Sequence, residues 1–220
     1  METFDLVVTG GGIFGLWVAK HAVDVGLSVL VAEKDTIGAG ASGGLLGALM
    51  PHIPTGWNEK KQFQFDALYE LSEEVAALEE ATGCETGYGR VGRLMPLRAE
   101  RFCALADDRG KAAREVWHQR ERTFDFARGG DQRFYSWLST DYAPYGYVHD
   151  TFAARVRPVD YLAALKAYLE PRATITEGLA FDRFREGQAS FNGGARQVRA
   201  GAIALAHGYQ TFDYLNNHHA

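Results

Sequence analysis

Three glycines and one acid carry the clearest chemistry in the chain. Gly10, Gly12 and Gly15 are spaced as G-x-G-x-x-G, and Glu33 stands 18 residues beyond the last of them. Gly10 permits a tight turn, Gly12 lets a backbone approach a diphosphate, and Gly15 lets a helix pack closely on a strand. A helix opening at this turn presents unpaired N–H groups and about half a positive charge to phosphate oxygens. A carboxylate at position 33 can accept both hydroxyls of an adenosine ribose and repels a 2′-phosphate, which disfavours NADP. The competing reading pairs Glu33 with Lys34 or Lys20 at the surface.

These residues require a particular scaffold. Phe4 to Thr9 is a short apolar, β-branched run that reads as a buried strand. Ile13 to Val25 has apolar residues at helical spacing (Leu16, Ala19, Ala22, Val23), and Gly26 stops it. Ser28 to Ala32 is a second strand ending at Glu33. Strand, helix and strand within about 30 residues form a parallel βαβ unit with a right-handed crossover.

A second glycine-rich stretch, Gly38 to Gly47, follows directly. A plain NAD domain usually needs no such loop, so it favours FAD. Amides around Ala41 and Ser42, with the Ser42 hydroxyl, can add donors to a pyrophosphate; a flexible surface turn is the alternative. Further along, Asn58 caps a helix to about Glu80, with Leu68, Leu71, Val75 and Leu78 inward, and Gly83 closes it. A turn from Gly87 leads into a strand near Pro96. Residues 99–122 read as a charged helix with Leu105, Val116 and Trp117 inward. The segment 124–156 is rich in aromatics, among them Phe134, Tyr135, Trp137, Tyr142, Tyr145 and Tyr147, and suggests antiparallel strands. Pro158 starts a helix with Tyr161, Leu162, Leu165 and Leu169 on its buried stripe. Short strands are predicted at 173–177, 179–185 and 202–206.

The fold class expected is α/β: a Rossmann-like βαβ with a parallel sheet, an inserted α+β layer, and a C-terminally incomplete end. The boundaries expected are residues 1–80 for the nucleotide-binding segment, 81–157 for a substrate-side insertion and 158–220 for the return to the first domain.

The sequence resembles the FAD-dependent oxidoreductases of the D-amino-acid oxidase type, which include glycine oxidase and sarcosine oxidase. The likeness is densest in V-V-T-G-G-G-I-F-G-L, V-A-E-K and G-A-G-A-S-G-G-L-L-G. It implies FAD on a parallel sheet, an antiparallel sheet over the substrate, and oxidation of a C–N bond by hydride transfer to flavin. By position it places Gly10, Gly12, Ile13, Phe14 and Gly15 on the pyrophosphate, and Glu33 with Lys34 near the adenosine ribose. Ala41 and Ser42 would touch phosphate, and Leu46 and Gly47 would approach the flavin. Phe181 matches a position where the family usually has a valine contacting adenine through its backbone. Ala206-His207-Gly208 matches the small-residue end of a late strand, where a small or hydroxyl residue is usual in place of His207. Family members are longer and return to the FAD domain with a further glycine-rich segment. This chain is therefore expected to resemble their N-terminal portion, with the ADP half of the site present and an apolar face inviting association.

His52, shortly after the second glycine loop, is a catalytic or flavin-linking candidate; a loop histidine with a structural hydrogen bond is the alternative. Tyr142, Tyr145 and Tyr147 would line a pocket or fill the core. His207 would meet the cofactor or serve packing. The terminal His218-His219 pair is too short for a tag or metal site. No acid–base pair can be named, and hydride removal from a neutral amine requires none.

The net charge of −5 argues against a surface that coats nucleic acid. Two cysteines, Cys84 and Cys103, form no C-x-x-C pair and no zinc spacing. With no secretory pattern and no membrane-length apolar run, a soluble, cytoplasmic protein is expected, and the resemblance implies a small amine or amino acid as its substrate. Two rival readings stand: a flavin domain that modifies uridines in tRNA, disfavoured by the acidic balance, and a non-catalytic nucleotide-binding fragment.

Overall fold

The computed structural model describes residues 1–129 and 137–218. In chain order its elements are β1 (Thr3–Thr9), α1 (Ile13–Asp24), β2 (Val29–Ala32), a 3-10 turn (Ala41–Gly43), β3 (Gly47–Leu49), α2 (Glu59–Thr82), β4 (Arg93–Pro96), α3 (Arg101–Val116), β5 (Phe126–Arg128), β6 (Tyr147–Asp150), β7 (Ala154–Val156), α4 (Pro158–Leu169), β8 (Thr174–Thr176), β9 (Phe181–Arg185), β10 (Gln188–Phe191), β11 (Arg196–Leu205) and α5 (Gln210–His218). They form two compact units. The first is Met1–Leu46, Ala76–Gly87 and Arg157–Ala220; the second is Gly47–Val75 and Tyr88–Val156.

The first unit is built on a six-stranded sheet of order β8-β2-β1-β11-β10-β9. Its four strands β8, β2, β1 and β11 run parallel. Every residue of β2 is buried, as expected of an interior parallel strand covered on both faces. Thr9 pairs with Ala32 on one side and Leu205 on the other, so β1, β2 and β11 end level with one another. Gly10, Glu33 and Ala206 follow those three ends directly. Strands leaving β1 in opposite directions make this a switch point, where open α/β sheets bind ligands.

The sheet is mixed, because β9 and β10 add an antiparallel meander to the parallel set. Glu186 and Gly187 both take positive φ (51° and 71°), the conformation of a tight primed hairpin. Strand β10 was not foreseen, and β11 starts at Arg196, earlier than the predicted 202. Phe4, Val7, Leu30, Leu179, Phe191 and Val198 belong to one core cluster of this unit.

Helix α1 ends as predicted: Gly26 takes φ +85° and donates its N–H to the Val23 carbonyl at 3.0 Å. Pro158 occupies the first turn of α4, and Tyr161, Leu162, Leu165 and Leu169 are all buried. Two polar ties join α1 to α4. The Trp17 Nε1–H donates to the Tyr161 hydroxyl at 3.0 Å, and the Tyr168 hydroxyl donates to Asp24 at 2.6 Å. Lys20 completes this edge with a 2.8 Å ion pair to Asp24. Burial acts to raise the Asp24 carboxyl, but the bonds from Lys20 and Tyr168 hold it below the usual range.

The second unit holds two antiparallel sheets, β3-β7 and β4-β6-β5. Asn58 caps α2, its Oδ1 accepting the Lys61 N–H at 3.1 Å. The core is aromatic. The Phe152 ring stacks on Phe124 at 4.2 Å and meets Phe65 and Trp117 at 5.2 and 5.4 Å. The Arg90 guanidinium lies over Phe124 and Phe152 and donates to the Phe152 and Leu68 carbonyls. Asp150 is fully buried yet satisfied, paired with Arg93 at 2.6 Å and accepting the Phe152 and Ala153 N–H groups.

Several sequence expectations change here. Helix α3 stops at Val116, short of the predicted 122, and Arg122 beyond it bonds to Tyr69, Ser72 and Glu73. Leu105 is exposed, while Ala106, Gly110 and Ala113 face inward. The reason is close packing: a Cβ on Gly110 would lie 2.7 Å from the Phe126 carbonyl oxygen, so β5 approaches the helix closely at this position. Leu71 is half-buried. Tyr147 joins the core, whereas Tyr142 and Tyr145 are exposed. Phe134 and Tyr135 lie outside the described residues.

Candidate functional site

The glycine turn is fixed by sterics that no other residue meets. Gly10 has φ +111°, and a Cβ there would lie 2.4 Å from the Ala206 carbonyl oxygen. A Cβ on Gly15 would lie 1.9 Å from the Gly10 carbonyl oxygen. The first turn of α1 is thereby drawn onto the end of β1, with Gly12 as its N-cap residue and no side chain capping from that position. Among the described residues, the N–H groups of Gly12, Phe14 and Gly15 have no hydrogen-bond partner. Helix amino ends leave such donors free, and here they sit with the positive end of the macrodipole.

Glu33 is buried at the level of this turn. Its carboxylate accepts the Gly11 N–H at 2.6 Å on one oxygen and the Asp35 N–H at 2.9 Å on the other. The two lysines of the surface-pair reading are engaged elsewhere: Lys20 with Asp24 at 2.8 Å, and Lys34 near Asp35 at 3.7 Å. An ionised carboxylate offers about four lone-pair sites, so two remain for hydroxyl donors. The two backbone bonds lock its orientation.

The second glycine loop is fastened to the first. Gly38 donates its N–H to the Gly11 carbonyl at 3.1 Å, and the Ser42 hydroxyl accepts the Ile13 N–H at 3.0 Å. Ser42 thus supplies the cap that Gly12 lacks. A Cβ on Gly12 would meet the Ser42 Oγ at 3.1 Å, and one on Gly43 would lie 2.2 Å from the Gly38 carbonyl oxygen. Ala41 and Ser42 open the 3-10 turn. The loop is thereby hydrogen-bonded to the glycine turn and to the first residue of α1. Gly11, Gly38 and Gly43, each packed tightly here, had no role of their own in the sequence reading. The readable signal for Gly11 is the unbroken Gly10-Gly11-Gly12 run: a Cβ at Gly11 would strike Ile37 at 2.4 Å.

Other predicted residues fall around this centre. Phe181 opens β9, its ring 5.7 Å from His207 and 5.2 Å from Tyr214. Gly208 takes φ +62° in the link to α5. His207 follows β11 through Ala206, and its backbone nitrogen lies 3.3 Å from where a Gly10 Cβ would stand. Burial lowers the His207 imidazole below the ordinary histidine range; the Glu33 charge acts against that shift and Lys34 with it. Phe14 and Leu46 are exposed, at 81% and 67%, free to meet a ligand. Gly47 and His52 belong to the second unit. Gly47 begins β3 opposite Val156, and the His52 N–H donates to Gln64 Oε1 at 2.6 Å.

An adenosine diphosphate fits the first unit by three observations. Free N–H donors lie at the α1 amino end, the glycines keep side chains away from them, and a fixed carboxylate has spare acceptor sites one strand over. No group of His, Cys, Asp and Glu among the described residues is placed to hold a metal ion. No helix among them is long and apolar enough to cross a membrane.

Comparison with known proteins points the same way. Residues 5–217 match the model of a family described as FAD dependent oxidoreductase. The chain is similar to D-erythritol 1-phosphate dehydrogenase of Brucella abortus (strain 2308), 54% identical over 41 residues, which is 19% of this chain and 8% of that protein. Among solved structures it resembles glycine oxidase from Geobacillus kaustophilus (TM-score 0.77, 19% identity, 94% of this chain and 55% of that one). It also resembles L-amino acid deaminase from Proteus vulgaris with its specific insertion deleted (TM-score 0.79, 19% identity, 100% of this chain and 57% of that one). The chain thus spans a little over half the length of these two solved structures.

Proposed function

We propose that this chain, which belongs to the FAD dependent oxidoreductase family, holds the ADP half of FAD on its first unit and serves in oxidising the C–N bond of a small amine or amino acid. The observation that carries the binding step is the Glu33 carboxylate, pinned by Gly11 and Asp35 beside the free amides of α1. Gly12, Phe14 and Gly15 would donate to the diphosphate. Ser42 holds the helix end in place, and Glu33 would accept from the ribose. Leu46 and Gly47 would approach the flavin, His52 would be a catalytic or flavin-linking residue, and residues 81–157 would carry the substrate-side layer. FAD, when bound, supplies the hydride acceptor; the protein binds and orients. The reaction class draws on the glycine oxidase and L-amino acid deaminase resemblance, and the cytoplasm is the proposed location.

Absorbance of the purified protein tests this reading, together with titration by FAD and by ADP-ribose. Flavin bands and oxidation of an amino acid are expected. Binding of ADP-ribose without FAD would favour a non-catalytic nucleotide-binding piece. Binding of neither would overturn the assignment.

A further inference from the structure

His207 stands where three parts of the proposed nucleotide site meet. Its backbone follows Ala206, whose carbonyl packs against Gly10 at the diphosphate side. Its ring lies against Phe181 at 5.7 Å and Tyr214 at 6.5 Å, and it lies within electrostatic reach of Glu33, the ribose acceptor. Among the described residues no hydrogen bond is made by its ring nitrogens. We infer that His207 is a nucleotide-binding residue that takes up a proton when the diphosphate arrives, so that the chain binds the dinucleotide more strongly as pH falls through the histidine range.

This role depends on the proposed nucleotide site and on the charges around the ring. The groups facing the imidazole are Glu33 and Lys34 after β2 and the Tyr214 phenol from α5; Phe181 brings none. In the free protein, burial and Lys34 outweigh Glu33 and favour the neutral ring. A diphosphate at the turn of Gly10, which the His207 backbone nitrogen approaches, would add negative charge beside this residue. In a half-buried setting that favours the protonated ring. Whatever favours the proton on binding must, by linkage, favour binding when the proton is present. The proton goes from solvent to an imidazole nitrogen, and no bond of the ligand changes.

ADP-ribose is the suitable probe, because its diphosphate diester does not titrate in this range and it requires only the ADP half of the site. Calorimetry at about pH 7 in two buffers of different ionisation heat reads proton uptake directly. Uptake of a fraction of a proton is expected, with affinity rising about two- to threefold from pH 7.5 to 6. Two variants separate charge from packing: His207→Phe keeps a ring against Phe181 and Tyr214, and His207→Asn keeps polarity. Both should bind with no uptake and a flat pH profile. Undiminished uptake in either variant, or binding by the parent protein without uptake, would overturn the inference while leaving the nucleotide site standing. Failure of the parent protein to bind ADP-ribose at any pH would overturn the nucleotide site, and this inference with it.

Discussion

A single added carbon at Gly15 would lie 1.9 Å from the Gly10 carbonyl oxygen, whereas the core around Phe152 is ordered by three surrounding rings and a guanidinium. The first unit is held at its site by what is missing: side chains absent from the turn leave backbone donors open. The second is held by what is present, large rings filling space with Arg90 laid over two of them. A region specified by absence is sensitive in binding, and a region specified by bulk is sensitive in stability.

Phe152→Ala gives the sharpest break. It should cost about 3–5 kcal/mol of stability, read by urea unfolding, as large aromatic truncations in cores do. ADP-ribose affinity of the folded protein should stay within about twofold. A loss of affinity without a loss of stability would erase the contrast. Gly15→Ala tests the opposite case: either the helix moves off β1 or the Gly10 carbonyl turns. A fall in nucleotide affinity of about a hundredfold, or about 3 kcal/mol, is expected by calorimetry. Glu33→Gln keeps the shape but removes the charge that holds the Gly11 and Asp35 amides. About tenfold weaker binding should follow. Ser42→Ala removes the only side-chain cap that the Ile13 amide has among the described residues, worth about 1 kcal/mol and about fivefold in affinity.

The smallest effect is in pH. His207 is held below its ordinary value, so between that folded value and about 6.5 the unfolded chain binds more protons than the folded one. Its contribution is complete above about pH 6.5 and is lost as pH falls through the folded value. His207→Phe should flatten this acid limb in thermal unfolding. A limb unchanged by the substitution would remove His207 from the account.

Much of the first unit was legible because its signals are local. Gly26 and Pro158 punctuate helices through their own backbones, and the β-branched run before Gly10 needs no distant partner. Strand β10 was not legible. Gln188 and Ser190 look like loop residues, and only pairing on both sides, after the Glu186-Gly187 turn, makes them a strand. Leu105 misled for a related reason: helical spacing marks an apolar face, but the close approach of Phe126 to Gly110 decides which face is covered. Within the candidate site, the turn formed by Gly10, Gly12 and Gly15 and the place of Glu33 one strand over were readable from spacing. The bond between Glu33 and Gly11 was not, since nothing in a sequence says which unnamed residue of a motif meets a carboxylate 22 positions on.

The two ties from α1 to α4 have a mechanical result. Trp17 and Asp24 lie seven residues apart, about two turns along one face, and each is anchored to a tyrosine of the neighbouring helix. A rod clamped at two points along its length can neither spin nor slide. The open amides at its tip therefore keep one aim, and a ligand meeting them has no searching rotor to arrest. Tyr161→Phe together with Tyr168→Phe would free that motion, and amide exchange along α1 would register it.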